Sequence, residues 1–153
     1  MKLYQSMTTT LLMVSQLTMA QQIGSDLKPE TKNEPGGAIQ RASVAFSNIK
    51  DGDRVKSPFK LKMNVSGLKV RPAGEDVNDM NSGHHHILVD MKPIPAGQVI
   101  TVDEHHIHFG KGQTETEVKL APGDHTLTLQ FADGAHRSYG EKLSSTIKIH
   151  VVK

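Results

Sequence analysis

Phe59-Lys60-Leu61-Lys62-Met63-Asn64-Val65 alternates apolar and polar side chains without a break. Successive side chains of an extended chain point to opposite faces, so this segment reads as a strand with one face buried and one in water. Shorter segments of the same kind lie on either side. Ser43–Ser47 carries Val44 and Phe46, and Gly67–Val70 follows the opening segment. His84–Asp90 holds Ile87-Leu88-Val89 in succession, as a strand covered on both faces does. Gln98–Asp103, His105–Phe109, Thr114–Leu120, Asp124–Phe131 and Leu143–Val152 continue the series. Gly, Pro, Asp and Asn clusters separate them, with Ala121-Pro122-Gly123-Asp124 as a tight turn and Arg71–Gly83 as a long acidic loop. No 11-residue window has a helical apolar face. The pattern predicts an all-β domain over 42–153, an immunoglobulin-like antiparallel β-sandwich of seven to nine short strands. A closed antiparallel barrel is the alternative.

Upstream, the chain changes character. Met1–Ala20 has one charge, Lys2, an apolar centre at Leu11-Leu12-Met13-Val14, and a small-x-small end at Thr18-Met19-Ala20. This is the pattern of a secretory signal peptide, too short and too rich in Ser and Thr to span a bilayer. Cleavage near Ala20 predicts a periplasmic or secreted protein with no transmembrane segment in its mature chain. Residues 21–41, polar and containing Pro29, Pro35, Gly36 and Gly37, read as a flexible tether.

Composition removes several functions. With 18 basic and 16 acidic residues interspersed in 153, no basic stripe exists to follow a phosphate backbone, so nucleic acid is not an expected partner. The absence of Cys excludes disulfides, thiolate metal sites and cysteine catalysis. No Ser or Thr lies in a nucleophile-elbow motif, and catalysis has no positive support. The nine histidines are the exception in a chain otherwise poor in reactive groups.

Their placement is specific. His84-His85-His86 opens one strand, His105, His106 and His108 lie at another, His125 begins a third, and His136 falls in the loop that follows. A His-x-His pair on a strand puts two imidazoles on one face, about 7 Å apart at the backbone. Neutral imidazole suits copper, zinc, nickel or iron. The expected ligands are therefore His84, His86, His108, His125 and His136, with His85 and His106 as further candidates. His85 shares a face with Ile87 and Val89, which inclines it toward the core. Asp90, Asp103, Glu104, Glu115 and Asp133 can orient the rings. Copper comes first and zinc second.

Three blocks carry a resemblance: Gly83-His84-His85-His86-Ile87-Leu88-Val89-Asp90, His108-Phe109-Gly110-Lys111-Gly112-Gln113-Thr114-Glu115 and Pro122-Gly123-Asp124-His125-Thr126-Leu127. Together with Pro72-Ala73-Gly74-Glu75, Asp133 and His136, they make Ser43–Val152 similar to an uncharacterised family of short exported bacterial domains. The resemblance implies a compact β domain behind a signal peptide. Its pattern has a further His soon after the position of His136, where this chain has Arg137-Ser138-Tyr139. His106-Ile107-His108 also resembles the His-x-His strand of the copper–zinc superoxide dismutases, without that family's cysteines.

These readings converge on an exported His-rich domain whose partner is a transition metal or small ligand. Two others stay open: a non-catalytic structural or interaction module whose histidines bond to backbone, and a small metal-dependent periplasmic enzyme. A protein partner is not legible.

Overall fold

The computed structural model describes residues 41–153. The leader 1–20, and the tether 21–41 apart from its last residue, lie outside the described residues. Among the described residues nine strands form: β1 (Ser43–Phe46), β2 (Arg54–Lys56), β3 (Phe59–Ser66), β4 (Lys69–Val70), β5 (Ser82–Val89), β6 (His106–His108), β7 (Glu115–Val118), β8 (Gly123–Ala132) and β9 (Ser144–Val152). One short 3-10 turn, Glu141–Leu143, precedes β9.

The strands make two sheets. One has the order β1-β3-β7, and the other runs β2-β9-β8-β5-β4, with β6 also paired to β5. β1 lies against β8 and β9, which closes the sandwich. The alternation that opens the sequence analysis has its physical cause here. Leu61 and Met63 of β3 are buried, while Lys60, Lys62 and Asn64 are exposed. Across the interface Ile87 and Val89 of β5, Leu127, Leu129 and Phe131 of β8, and Ile147, Ile149 and Val151 of β9 complete one aliphatic core. Each such side chain contributes roughly 1.5–3 kcal/mol when fully buried.

Two features depart from the sequence reading. The sheets are not wholly antiparallel: β2 pairs in parallel with β9, and β4 in parallel with β5. Arg54–Lys56, a three-residue strand between Asp-Gly and Ser-Pro turns, is too short and too charged to register as a pattern. Gln98–Asp103 is not a strand. It makes only isolated bridges, Val99 to Arg137 and Asp103 to His106, and crosses the outer face of the larger sheet.

That outer face positions the site. β5 is buried along its whole length because its two faces serve two interiors. His85, Ile87 and Val89 point inward, whereas His84, His86 and Leu88 point outward beneath the loops 91–105 and 133–140. Leu88, Ile100 and Ala132, with Met91 and Ile94, form a second small cluster there. Polar side chains of β8 fasten the covering loops. Thr128 donates to the Met91 carbonyl at 2.9 Å. Buried Gln130 accepts from Ile94 N–H at 2.7 Å and donates to the carbonyls of Ile94 and Gly140 and to Ser138 Oγ. Gln130→Ala leaves several buried backbone groups without partners and is expected to lower stability by about 2–4 kcal/mol. Urea denaturation measures this, and a loss below 1 kcal/mol contradicts the fastening role.

Candidate metal centre

Register brings the first three histidines together. His84 and His86 are two residues apart on β5, and the antiparallel β5–β6 ladder sets His108 directly opposite His86. The fourth, His136, arrives from the turn after β8, whose terminal Ala132 is paired with His84. One candidate ligand atom from each of His84, His86, His108 and His136 lies within 4.8 Å of the others. His84 and His86 are wholly buried, and His108 and His136 are half-buried.

The rings surround a common point. Five of the six centroid separations lie between 4.7 and 5.1 Å, and the sixth, His86 to His136, is 5.9 Å. A tetrahedral ion with nitrogens about 2.0–2.1 Å away places every pair of ring centroids about 5 Å apart. A square-planar ion instead gives four pairs near 4.5 Å and two near 6.3 Å, by the same rough construction. The observed set follows the tetrahedral pattern.

Hydrogen bonding within the cluster is incomplete. Nδ1 of His84, His86 and His136 and Nε2 of His108 are buried without a hydrogen-bond partner. Each such group costs about 1–3 kcal/mol if it stays unpaired. The Nε2 atoms of His84 and His86 face each other at 3.0 Å, near the roughly 3.3 Å edge of a tetrahedral nitrogen shell. Burial pushes the imidazole pKa of His84 down to about 4 and of His86 down to about 2, and the neighbouring histidines add to it. Burial, then His136, also lowers that of His108. These rings are neutral at pH 7, so protons compete weakly for their lone pairs.

The backbone is shaped for this arrangement. A Cβ at Gly110 would overlap the His108 ring, so glycine in the Phe109-Gly110-Lys111-Gly112 turn lets that ring lie flat against the chain. His136 has φ 64°, a left-handed conformation uncommon outside glycine. Buried Asp133 holds it there. Its Oδ1 accepts from the N–H groups of Ala135 and Arg137 at 2.8 and 2.9 Å, and its Oδ2 accepts from Arg137 Nε at 2.7 Å.

The other candidates lie elsewhere. The structure does not bring His125 into the group. It sits near the start of β8, about 23 Å along the strand from Ala132. Its Nδ1 donates to Asp90 at 2.8 Å and its Nε2 to the Ala121 carbonyl at 3.0 Å. Both partners are oxygen acceptors, so this pair of bonds favours the protonated ring. Against a burial penalty, the bonds to Asp90 and Ala121 raise its pKa. His106 is on the outer face beside Leu88 but turns its Nδ1 to Asp103 at 2.7 Å. His105 is exposed beside Glu104. No carboxylate among the described residues bonds directly to a ring of the four. Asp103, Asp90 and Asp133 instead fix His106, His125 and the His136 turn.

His85 faces the main core, its ring 5.0 Å from that of Phe131, with neither nitrogen hydrogen-bonded. Burial takes its pKa down to about 4. His85→Leu removes two unpaired polar atoms and is expected to raise stability by about 1–2 kcal/mol while leaving metal stoichiometry unchanged. Calorimetry and metal analysis check this; loss of bound metal contradicts the assignment of His85 to the core.

The fold and site together define an all-β sandwich carrying a four-histidine cluster on the outer face of its larger sheet. The chain belongs to the family described as a domain of unknown function, DUF4399, whose model matches residues 61–152 and so spans β4 to β9 and most of β3. Comparison with curated proteins and with solved structures finds no match. All four clustered histidines are among the candidates that the sequence pattern marks. The contact of Gly110 with His108 is not legible from the sequence, where Gly110 reads only as part of a turn.

Proposed function

We propose that this chain is an exported metal-binding protein that holds one tetrahedral ion of the zinc class through His84, His86, His108 and His136. The observation that carries the reading is the near-equal spacing of four imidazoles, one candidate ligand atom of each lying within 4.8 Å of the others. The placement of the histidines in the sequence puts copper first and zinc second. The tetrahedral all-nitrogen set favours zinc, because Cu(II) and Ni(II) prefer tetragonal shells and Cu(I) prefers sulfur.

Four protein ligands fill a tetrahedral shell, the condition of structural or carrier sites, whereas catalytic zinc keeps a position open. Four surface cavities among the described residues, of 420, 540, 470 and 450 Å³, are lined by none of the four histidines. Binding is thus favoured over catalysis. Export is supported by the leader pattern at 1–20 and is tested by the N-terminal sequence of protein from a periplasmic fraction. Among the described residues no helix is long and apolar enough to cross a membrane.

Untagged protein, stripped and titrated with zinc, is expected to take up one equivalent with a Kd below micromolar. Metal content well under one per chain, with no micromolar uptake of zinc or copper, removes the reading. The 3.0 Å contact between His84 and His86 favours a second reading, a structural module whose imidazoles bond to each other. In that case a chelator leaves the melting temperature of the freshly purified protein unchanged.

A further inference from the structure

Three of the four ligands are set by one β-ladder, and the fourth is not. His84, His86 and His108 have positions fixed by the β5–β6 register, with His86 facing His108. His136 belongs to the 133–138 turn, and that turn is tied to a second loop. Gly97 N–H donates to the Ser138 carbonyl at 2.8 Å, Ser138 N–H to the Gln98 carbonyl at 2.8 Å, and Ile100 N–H to the His136 carbonyl at 2.9 Å. Val99 lies opposite Arg137. The two segments therefore make a short irregular ribbon over the outer face of the larger sheet.

The anchoring of this ribbon is uneven. Toward Ile94 and Gly140 it is fastened by buried Gln130. The 133–138 turn is held by buried Asp133 and Ser138, by Gly74 N–H donating to the Gly134 carbonyl at 2.8 Å and by Arg137 Nη2 donating to the Val77 carbonyl at 3.2 Å, whereas the inward side chain of the 97–100 segment is Ile100, 2% exposed among Leu88 and Ala132. Val99 and Val102 are 61% and 64% exposed and add little packing. The 97–102 segment, with Ile100 as its one buried side chain, is of the kind that opens locally at low free energy. Asp133 and Arg137 make the 133–138 turn a unit with its own shape, so a force on the His136 ring is passed to its carbonyl and hence to Ile100.

We propose that the metal is a clasp: by joining His136 to the three sheet histidines it fixes the 97–100 and 133–138 ribbon on the sheet, and metal occupancy thereby sets the conformation of the surface that bears Val99 and Val102. This rests on the metal-binding reading. The cavity of 420 Å³ walled by Ala96, Gly97, Asp133 and Tyr139 is built from the same two loops and shares their fate. The ligand's role is to remove the open states of a segment that the fold alone holds weakly.

Hydrogen–deuterium exchange of the whole protein, with and without one equivalent of zinc and with bound zinc measured on the same samples, tests this. Zinc is expected to slow exchange at residues 97–100 and 133–138 by at least tenfold. His136→Asn, which tolerates the left-handed backbone, should bind zinc more weakly through three histidines. Once loaded with excess zinc it should slow exchange in β5 and β6 without slowing the ribbon. If the wild type holds one zinc and its ribbon exchanges at the metal-free rate, the clasp is refuted while metal binding stands. Equal protection of the ribbon in the loaded variant also refutes it. If the wild type takes up no zinc, the metal reading fails and the clasp fails with it. The wild-type comparison decides even if the variant does not fold.

Discussion

His86→Ala is expected to weaken zinc binding by at least about 100-fold, whereas His125→Ala leaves it unchanged. Structural zinc sites have apparent binding free energies of about 10–16 kcal/mol, so each of four ligands is worth roughly 3 kcal/mol, or a factor above 100. His86 is the ligand with most to lose. It is wholly buried, faces His108 across the ladder, and has its Nε2 3.0 Å from that of His84. No water can replace it without entering the covered outer face. His125 is bonded through both nitrogens to Asp90 and Ala121, so its removal affects the turn before β8 and not the ion. Competition against a zinc-binding dye measures both. Similar losses for the two variants, or none for His86→Ala, contradict the ligand set.

Acid should begin to destabilise the metal-free protein near pH 6.5, before the carboxylates titrate. Burial holds the folded pKa of His84 and His85 down to about 4 and of His86 down to about 2, against 6.5 for the unfolded chain. Below pH 6.5 the unfolded state binds protons that the folded state refuses, so stability rises with pH in this window. It is complete above about 6.5 and is lost as pH falls toward 4. One such histidine accounts for about 3 kcal/mol by pH 4, and three coupled ones for several. That is a large part of a total of about 5–15 kcal/mol. His125 acts in the opposite sense: its raised pKa adds stability at low pH that fades as pH rises through that value. It is one group against three. Bound zinc should move the acid transition to lower pH, because protons must then displace the ion before the rings charge. Urea midpoints between pH 7 and 4, in chelator and in zinc, test the sign. A flat profile in chelator contradicts the burial of these rings in the absence of metal.

Most of the fold was legible because burial imposes a period of two. Phe59–Val65 shows it most clearly, and β3 forms there with Leu61 and Met63 inside. The run Ile87-Leu88-Val89 announced a strand covered on both faces, and β5 is buried throughout. Gln98–Asp103 misled because its alternation, with Val102 and Ile100 on one side, serves a loop in which only Ile100 is covered. The parallel edges β2 and β4 left no trace, since three- and two-residue strands carry no period.

The candidate site was legible in part for the same reason. His84 and His86 share a face by spacing alone, and His106 and His108 share theirs. Choosing His108 over His106 requires the β5–β6 register, a long-range property. The difference between His125 and His136 is topological. His125 lies near the start of β8, a ten-residue strand, and His136 follows its far end, which alone lies beside the start of β5. Nothing local to either histidine says which end that is. The left-handed φ of His136 is set by Asp133 through bonds that a sequence does not display.

The central claim is that four imidazoles from two strands and a turn share one ion. Anomalous diffraction recorded just above and just below the zinc absorption edge, on crystals of the stripped and zinc-reloaded protein, tests it most directly. A single zinc peak about 2.0–2.1 Å from one nitrogen of each of His84, His86, His108 and His136 is the predicted result. A zinc peak bound elsewhere, or none, with His84 and His86 still hydrogen-bonded to each other in the reloaded crystals, contradicts the account.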